Sequence, residues 1–238
     1  MAVTKITHAR VDERRVPQAG WERVQVPLAG GSRSLEVRWI LRGPLPMSLI
    51  DRFGPFRDPI ERRPDRYLVD PWTAEFGVKI RGGVQLDLKA YRGSPGRLRV
   101  PGGSGRLEIW EKWSLPLRAT DPEQDAGGWI TIDKTRRRRA FELTADGLVE
   151  RSVLDEVEAG CTFELTEFVG GDRVWWTLGL EASGAAEARE LSLRACADLF
   201  LDRPLPDGIK LSAKASMSYT RWLPMLRREI DPALFGLE

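Results

Sequence analysis

The sequence predicts a mainly β (α+β) domain: an antiparallel, tunnel-like β-barrel of about eight strands with C-terminal helices packed outside. Three observations point there. Short segments of period-two alternation follow one another between Gly and Pro clusters from about residue 34 to residue 182. Helical spacing is concentrated near the end, at about 185–228. Strand after strand also sets charged residues, rather than small polar ones, on one face. Alternation alone leaves two architectures open. One is a sandwich whose charged face meets solvent; the other is a barrel whose charged face is its lumen and whose apolar exterior lies under helices.

Residues 1–32 are polar and irregular, ending in Ala29-Gly30-Gly31-Ser32, and read as an arm; residues 33–238 read as one domain. Strands are expected near 34–41, 66–70, 76–82, 84–92, 105–113, 129–143, 147–154, 161–168 and 173–182. Arg81-Gly82-Gly83-Val84 reads as a hairpin turn, because two glycines supply the positive φ that tight hairpins need. Ala145-Asp146-Gly147 reads as another. Pro44-Leu45-Pro46 opens a short helix through Phe53. Residues 185–200 form a longer one, stopped by Pro204 and Pro206, and a helical stretch near 209–228 is expected to be interrupted at Pro224.

The faces can be read residue by residue. Ser34, Glu36 and Arg38 share one side of the first strand, and Leu35, Val37 and Trp39 the other. Lys79 and Arg81 oppose Val78 and Ile80; Asp87 and Lys89 oppose Leu86 and Leu88; Arg106, Glu108 and Trp110 oppose Leu107 and Ile109. Of four consecutive arginines at 136–139, alternation turns two inward. Arg136 and Arg138 are preferred, with Arg137 and Arg139 at the surface, although Ile130 and Ile132 share the inward parity and call for a bulge. Adjacent Trp175 and Trp176 face opposite sides, and at least one is expected in the core.

Composition excludes several classes. The chain has a single histidine, His8, so a histidine base or a multi-histidine metal site is not available. Cys161 and Cys196 are far apart and form no Cys-x-x-Cys pattern. No apolar run approaches the about 20 residues that a membrane helix needs. A soluble cytoplasmic protein is the expectation. With 37 basic and 35 acidic residues, a net charge of +2 does not announce a nucleic-acid binder.

The order of the charged strands resembles the CYTH superfamily, the triphosphate tunnel metalloenzymes. Ser34-Leu35-Glu36-Val37-Arg38 is similar to that family's opening E-x-E-x-K strand. Arg66-Tyr67-Leu68-Val69-Asp70, Val78-Lys79-Ile80-Arg81 and Leu86-Asp87-Leu88-Lys89 resemble the strands that follow it. Arg106-Leu107-Glu108-Ile109-Trp110 is similar to an R-x-E-x-E strand, and Lys134 to Arg139 to the next basic one. Leu154-Asp155-Glu156-Val157 and Gly160 to Thr166 resemble the closing acidic motif. The resemblance spans residues 33–168 and implies an eight-stranded tunnel that binds triphosphate with inward Arg and Lys and holds divalent metal with inward Glu. One acidic residue is missing from each of three motifs, at Ser34, Trp110 and Thr166.

The implied roles follow position by position. Arg38, Lys79, Arg81, Lys89, Arg106, Arg136 and Arg138 would bind the phosphates, arginine adding bidentate geometry. Glu36, Glu108 and Glu164 would hold one Mg2+ or Mn2+, with Glu36 and Glu164 as the catalytic pair. Glu181, just beyond the matched region, is a candidate to replace a lost carboxylate, which only geometry decides. The expected ligand is a triphosphate or polyphosphate, bound and, with metal, hydrolysed. The alternatives are a non-catalytic polyanion-binding module and a lipocalin-like barrel holding an apolar ligand or a protein partner. No nucleic-acid or membrane partner is expected.

Overall fold

The computed structural model describes residues 31–69, 74–117 and 128–230. Asp70 and most of the N-terminal arm therefore lie outside the described residues. The strands are β1 (Ser32–Arg42), β2 (Glu61–Leu68), β3 (Phe76–Arg81), β4 (Gln85–Val100), β5 (Gly103–Pro116), β6 (Trp129–Thr144), β7 (Gly147–Arg151), β8 (Gly160–Gly170) and β9 (Arg173–Ser183). Three α-helices accompany them: α1 (Met47–Phe53), α2 (Ala186–Leu201) and α3 (Tyr219–Ile230). All strand pairings are antiparallel, in the order β2-β3-β4-β5-β1-β9-β8-β6, and a β2–β6 pairing closes the ring into an eight-stranded barrel. β7 hangs on the far half of β6 as a hairpin. No described helix is long and apolar enough to cross a membrane.

Closure settles which face is which. Leu35, Val37, Trp39, Leu107, Phe163, Leu165, Leu178 and Leu180 are buried in one apolar cluster with Leu49 and Phe53 of α1 and Leu193, Cys196, Phe200 and Leu201 of α2. This core lies outside the barrel, between its wall and two helices. Phe200 anchors it, stacking on Phe163 at 4.2 Å between ring centroids and meeting Phe53 and Phe141 edge-on. Trp176 belongs to the same layer. The opposite face of the eight ring strands, along the stretch that closes the barrel, looks into the lumen.

A second apolar cluster closes one end of that lumen. Ile40, Tyr67, Ile132 and Phe168 share parity with the charged lumen residues, yet they are buried with Trp222, Leu223 and Leu226 of α3, and Trp175 packs against them. The bulge expected between Ile132 and Arg136 is absent. β6 runs in unbroken register against both β2 and β8, because the lumen itself changes from apolar to charged along the strand.

Other expectations are corrected. The strand expected at 66–70 begins at Glu61 and carries Pro64 within it. The charged run Glu61 to Asp65 pairs with β6 along its whole length, and from Asp65 onward the strand pairs with β3 as well. Gly93-Ser94-Pro95-Gly96 reads as the end of β4, whereas the strand continues through register shifts at Gly93 and Gly96, both at positive φ. β7 stops at Arg151 rather than 154. Of the helix expected over 209–228, only the part from Tyr219 forms, and it runs through Pro224. Burial of Trp222, Leu223 and Leu226 around Pro224 compensates for the lost N–H bond. Residues 211–217 instead carry a turn at 213–215 and are wedged where β1 and β5 part: Ile40 N donates to Ala215 O at 2.9 Å, Met217 N to Arg38 O at 3.1 Å and Ser104 N to Leu211 O at 2.9 Å.

Close packing of the outer layer depends on Gly105, where a Cβ would sit 2.4 Å from both Trp39 and Val37. Gly105→Ala should therefore cost about 1–3 kcal/mol through overpacking, read as a lower urea midpoint with unchanged slope. A variant as stable as the parent would show that this wall yields freely.

Candidate functional site

Inside the barrel is a cavity of about 330 Å3 lined mainly by charged residues. Its lining includes nine cations, Arg38, Arg63, Lys79, Arg81, Lys89, Lys112, Lys134, Arg136 and Arg138, against six carboxylates, Glu36, Asp65, Asp87, Glu108, Glu164 and Glu181. Strand parity puts them there. Glu36 and Arg38 come from β1, Lys79 and Arg81 from β3, Asp87 and Lys89 from β4, and Lys134, Arg136 and Arg138 from β6.

Three ion-pair groups organise the lumen. The first centres on Glu164. Arg38 donates to it at 2.8 Å and also to the Thr177 hydroxyl at 3.0 Å, while Arg136 donates from Nε at 3.0 Å and again from Nη2. Thr166, in a position where the family resemblance expects a carboxylate, donates its hydroxyl to Glu164 at 2.9 Å. Burial pushes the Glu164 carboxyl up, but Arg136 and then Arg38 outweigh it and hold it well below the usual range. Gly179 opposite Arg38 makes room for this arrangement, since a Cβ there would stand 3.1 Å from the guanidinium carbon. Glu61 extends the group toward the open mouth, pairing with Arg136 at 2.9 Å and with Arg138 at 3.2 Å.

The second group centres on Asp87 and Asp65. Asp87 accepts from Arg81 at 2.6 and 3.0 Å, from Ser114 at 2.7 Å and from Gln85 at 2.7 Å. Lys79 lies 3.3 Å from Asp87 and 3.7 Å from Asp65. Lys134 lies 3.6 Å from Asp65, donates to the Tyr67 hydroxyl and sits 3.7 Å over the Tyr219 ring. Burial lowers Lys79 to about 8 and drives Lys134 well below its usual value, with Asp65 pulling both the other way.

The third group is a row of carboxylates. Glu36 is directly opposite Glu108 on β5 and directly opposite Glu181 on β9. Lys89 pairs with Glu36 at 2.6 Å, and its ammonium lies 5.5 Å from the Trp110 ring centre. Burial raises the Glu36 carboxyl, Lys89 opposing and Glu181 assisting. Glu108 accepts from the Trp110 indole at 3.1 Å and from Arg221 of α3 at 3.3 Å. Glu181 is open to the lumen's solvent.

The geometry sorts the residues singled out from sequence. Glu36, Glu164, Arg38, Lys79, Arg81, Lys89, Arg136, Arg138 and Glu108 all line one cavity. Arg106 does not. Beyond Glu108 the wall opens around residues 215–217, so Arg106 donates its backbone N–H to Ser216 at 2.7 Å and its guanidinium to the Tyr91 hydroxyl at 2.7 Å. Arg139 faces outward as expected, but it is not at the open surface: it pairs with Glu150 at 2.7 Å and packs over Phe200.

The expected metal set finds no ready site. Glu36, Glu108 and Glu164 each already hold a cation, and among the described residues no three metal-ligating side chains gather. Sequence reasoning missed Lys112, Lys134, Arg63, Asp65 and Tyr219. Lys112 and Lys134 continue alternations already identified on their strands and were within reach. Arg63 and Asp65 were hidden because Pro64 disguised their strand, and Tyr219 because only tertiary packing brings α3 to the lumen.

No family model matches this chain, and no curated protein matches it. The closed antiparallel barrel is compatible with a tunnel-like fold, and the geometry of the lumen carries the functional argument from here.

The buried lysines give a pH signature. Lys79 titrates near 8 in the folded state and at its ordinary 10.5 when unfolded. Between those values the unfolded chain holds more protons, so stability of the ligand-free protein should rise with pH across that window. Urea titrations at pH 7.5 to 10 should show the rise in the parent and a smaller one in Lys79→Met. Identical pH slopes in the two proteins would remove Lys79 as the cause.

Proposed function

We propose that this protein binds a compact polyanion, a triphosphate or polyphosphate chain, inside its barrel. One observation carries the reading: nine cations converge on a single cavity, and the six carboxylates of its lining together with Glu61 at its mouth do not neutralise them. A phosphate chain supplies the missing negative charge, and arginines on β1, β3 and β6 offer paired N–H donors to its oxygens. The resemblance of the strand motifs to the triphosphate tunnel enzymes supports the same choice. Leu35 and Val37 pack beneath helices and not in the lumen, which favours this reading over the apolar-ligand alternative.

Lys112 is the cleanest probe. Its ammonium faces the lumen beside Lys89 and has no ion pair within 4.0 Å among the described residues, so its loss breaks no internal bridge. In a chelating buffer, tripolyphosphate should raise the melting temperature, since it binds only the folded state. Lys112→Met should weaken that binding about tenfold or more, the worth of one charge-assisted contact, while stability without ligand stays level or increases. Absence of any thermal shift at low salt would end the proposal.

Metal-assisted hydrolysis is a second reading, favoured by the in-register row Glu108, Glu36 and Glu181 and opposed by the cations that already occupy Glu36 and Glu108. Phosphate release from tripolyphosphate with Mg2+ or Mn2+, lost in Glu36→Gln while binding persists, is its expected signature. No release with either metal would leave binding alone.

A further inference from the structure

We propose that the lumen is a blind socket for the free end of a linear phosphate chain, so that its ligands carry an unblocked terminal phosphate and are not internal segments of a longer polymer. This rests on the polyanion reading above and narrows it. Three strands show the same change of character along the barrel axis. On β6 the inward series runs Ile132, Lys134, Arg136, Arg138; on β1 it runs Ile40, Arg38, Glu36; on β8 it runs Phe168, Thr166, Glu164. The apolar members all fall at one end, where α3 seats Trp222 and Leu226 against them. Ile132 is 0% exposed, Phe168 1% and Trp222 3%, so among the described residues this layer is closely packed. A phosphate forced through that layer would leave its hydrogen-bond partners with none to replace them. Entry is from the opposite mouth, past Arg81 and Arg138.

The floor of the socket suits a chain end. Arg38, Lys134 and Arg136 meet there, and Ser218, Tyr219 and Thr220 bring the N-terminus of the twelve-residue helix α3 to the same place. A terminal phosphate has a second ionisable oxygen and approaches two negative charges near neutral pH, as a phosphate monoester does; a linking phosphate has only one such oxygen. Two arginines bridged to Glu164, a lysine beside Asp65 and a helix N-terminus favour the more highly charged group. Burial also weakens the hold of Lys134 on its proton in the empty lumen, and a dianionic end would strengthen it.

Calorimetry in a chelating buffer at fixed ionic strength tests this with tripolyphosphate, ATP, diadenosine tetraphosphate and two linear polyphosphates of different length. Sites are counted as those that excess tripolyphosphate clears. Tripolyphosphate and ATP, each with a free end, are expected to bind, and the doubly capped chain to bind at least tenfold more weakly than ATP. Both polyphosphates are expected to saturate at no more than two proteins per chain, one at each end. Occupancy that grows with chain length, or a doubly capped chain that matches ATP, overturns the socket while leaving the polyanion reading intact. Failure of tripolyphosphate itself to bind would instead sink that reading, and this inference with it.

Discussion

Isolated charges inside a barrel would be prohibitive, each costing several kcal/mol of lost hydration, and the fold depends on their pairing. Glu164 with two arginines, Asp87 with Arg81 and Lys79, and Glu36 with Lys89 convert a charged interior into a set of bridged groups. Once the interior is satisfied this way, the apolar side of each strand is free to turn outward, and helices α1 and α2 are required to cover it. The outer core and the polar lumen are thus two results of one alternation.

The compensation is incomplete by design of the residue set, and its shortfall is local. Three of the six lining carboxylates lie on β1, β5 and β9, while β2, β3, β4 and β6 carry seven of the nine lining cations, so one side of the cavity is the more basic. Lys79 and Lys134 lose part of their grip on protons, whereas Arg38 and Arg136, each bridged to Glu164, become harder to deprotonate than usual. Arginine is the cation that stays charged in such a place, which accounts for its position around the most deeply paired glutamate.

Much of this was legible in the sequence, because period-two alternation is a strict rule once a strand is recognised. Glu36 with Arg38, Lys79 with Arg81, and Arg136 with Arg138 all fall where parity sends them. What was hidden involved closure and ends. Alternation cannot say whether a charged face is lumen or surface, Pro64 concealed the strand that completes the ring, and nothing local marks α3 as the stopper of one mouth. Arg106 shows the limit most clearly: its parity is right, yet the wall ends before reaching it because residues 215–217 intervene.

The hairpin between β6 and β7 has a consequence for how the chain finds its register. Four successive arginines make the middle of β6 nearly self-similar, and a slip by one residue would still offer the lumen Arg137 and Arg139 in place of Arg136 and Arg138. Charge alone therefore penalises the wrong alignment weakly. The asymmetry must come from outside the run: from the tight turn that sets Thr144 opposite Gly147 at one end, and from Ile132, which only one alignment delivers to the apolar stopper, at the other. The arginine tract is a ruler without markings, and its zero is set by uncharged residues on either side of it.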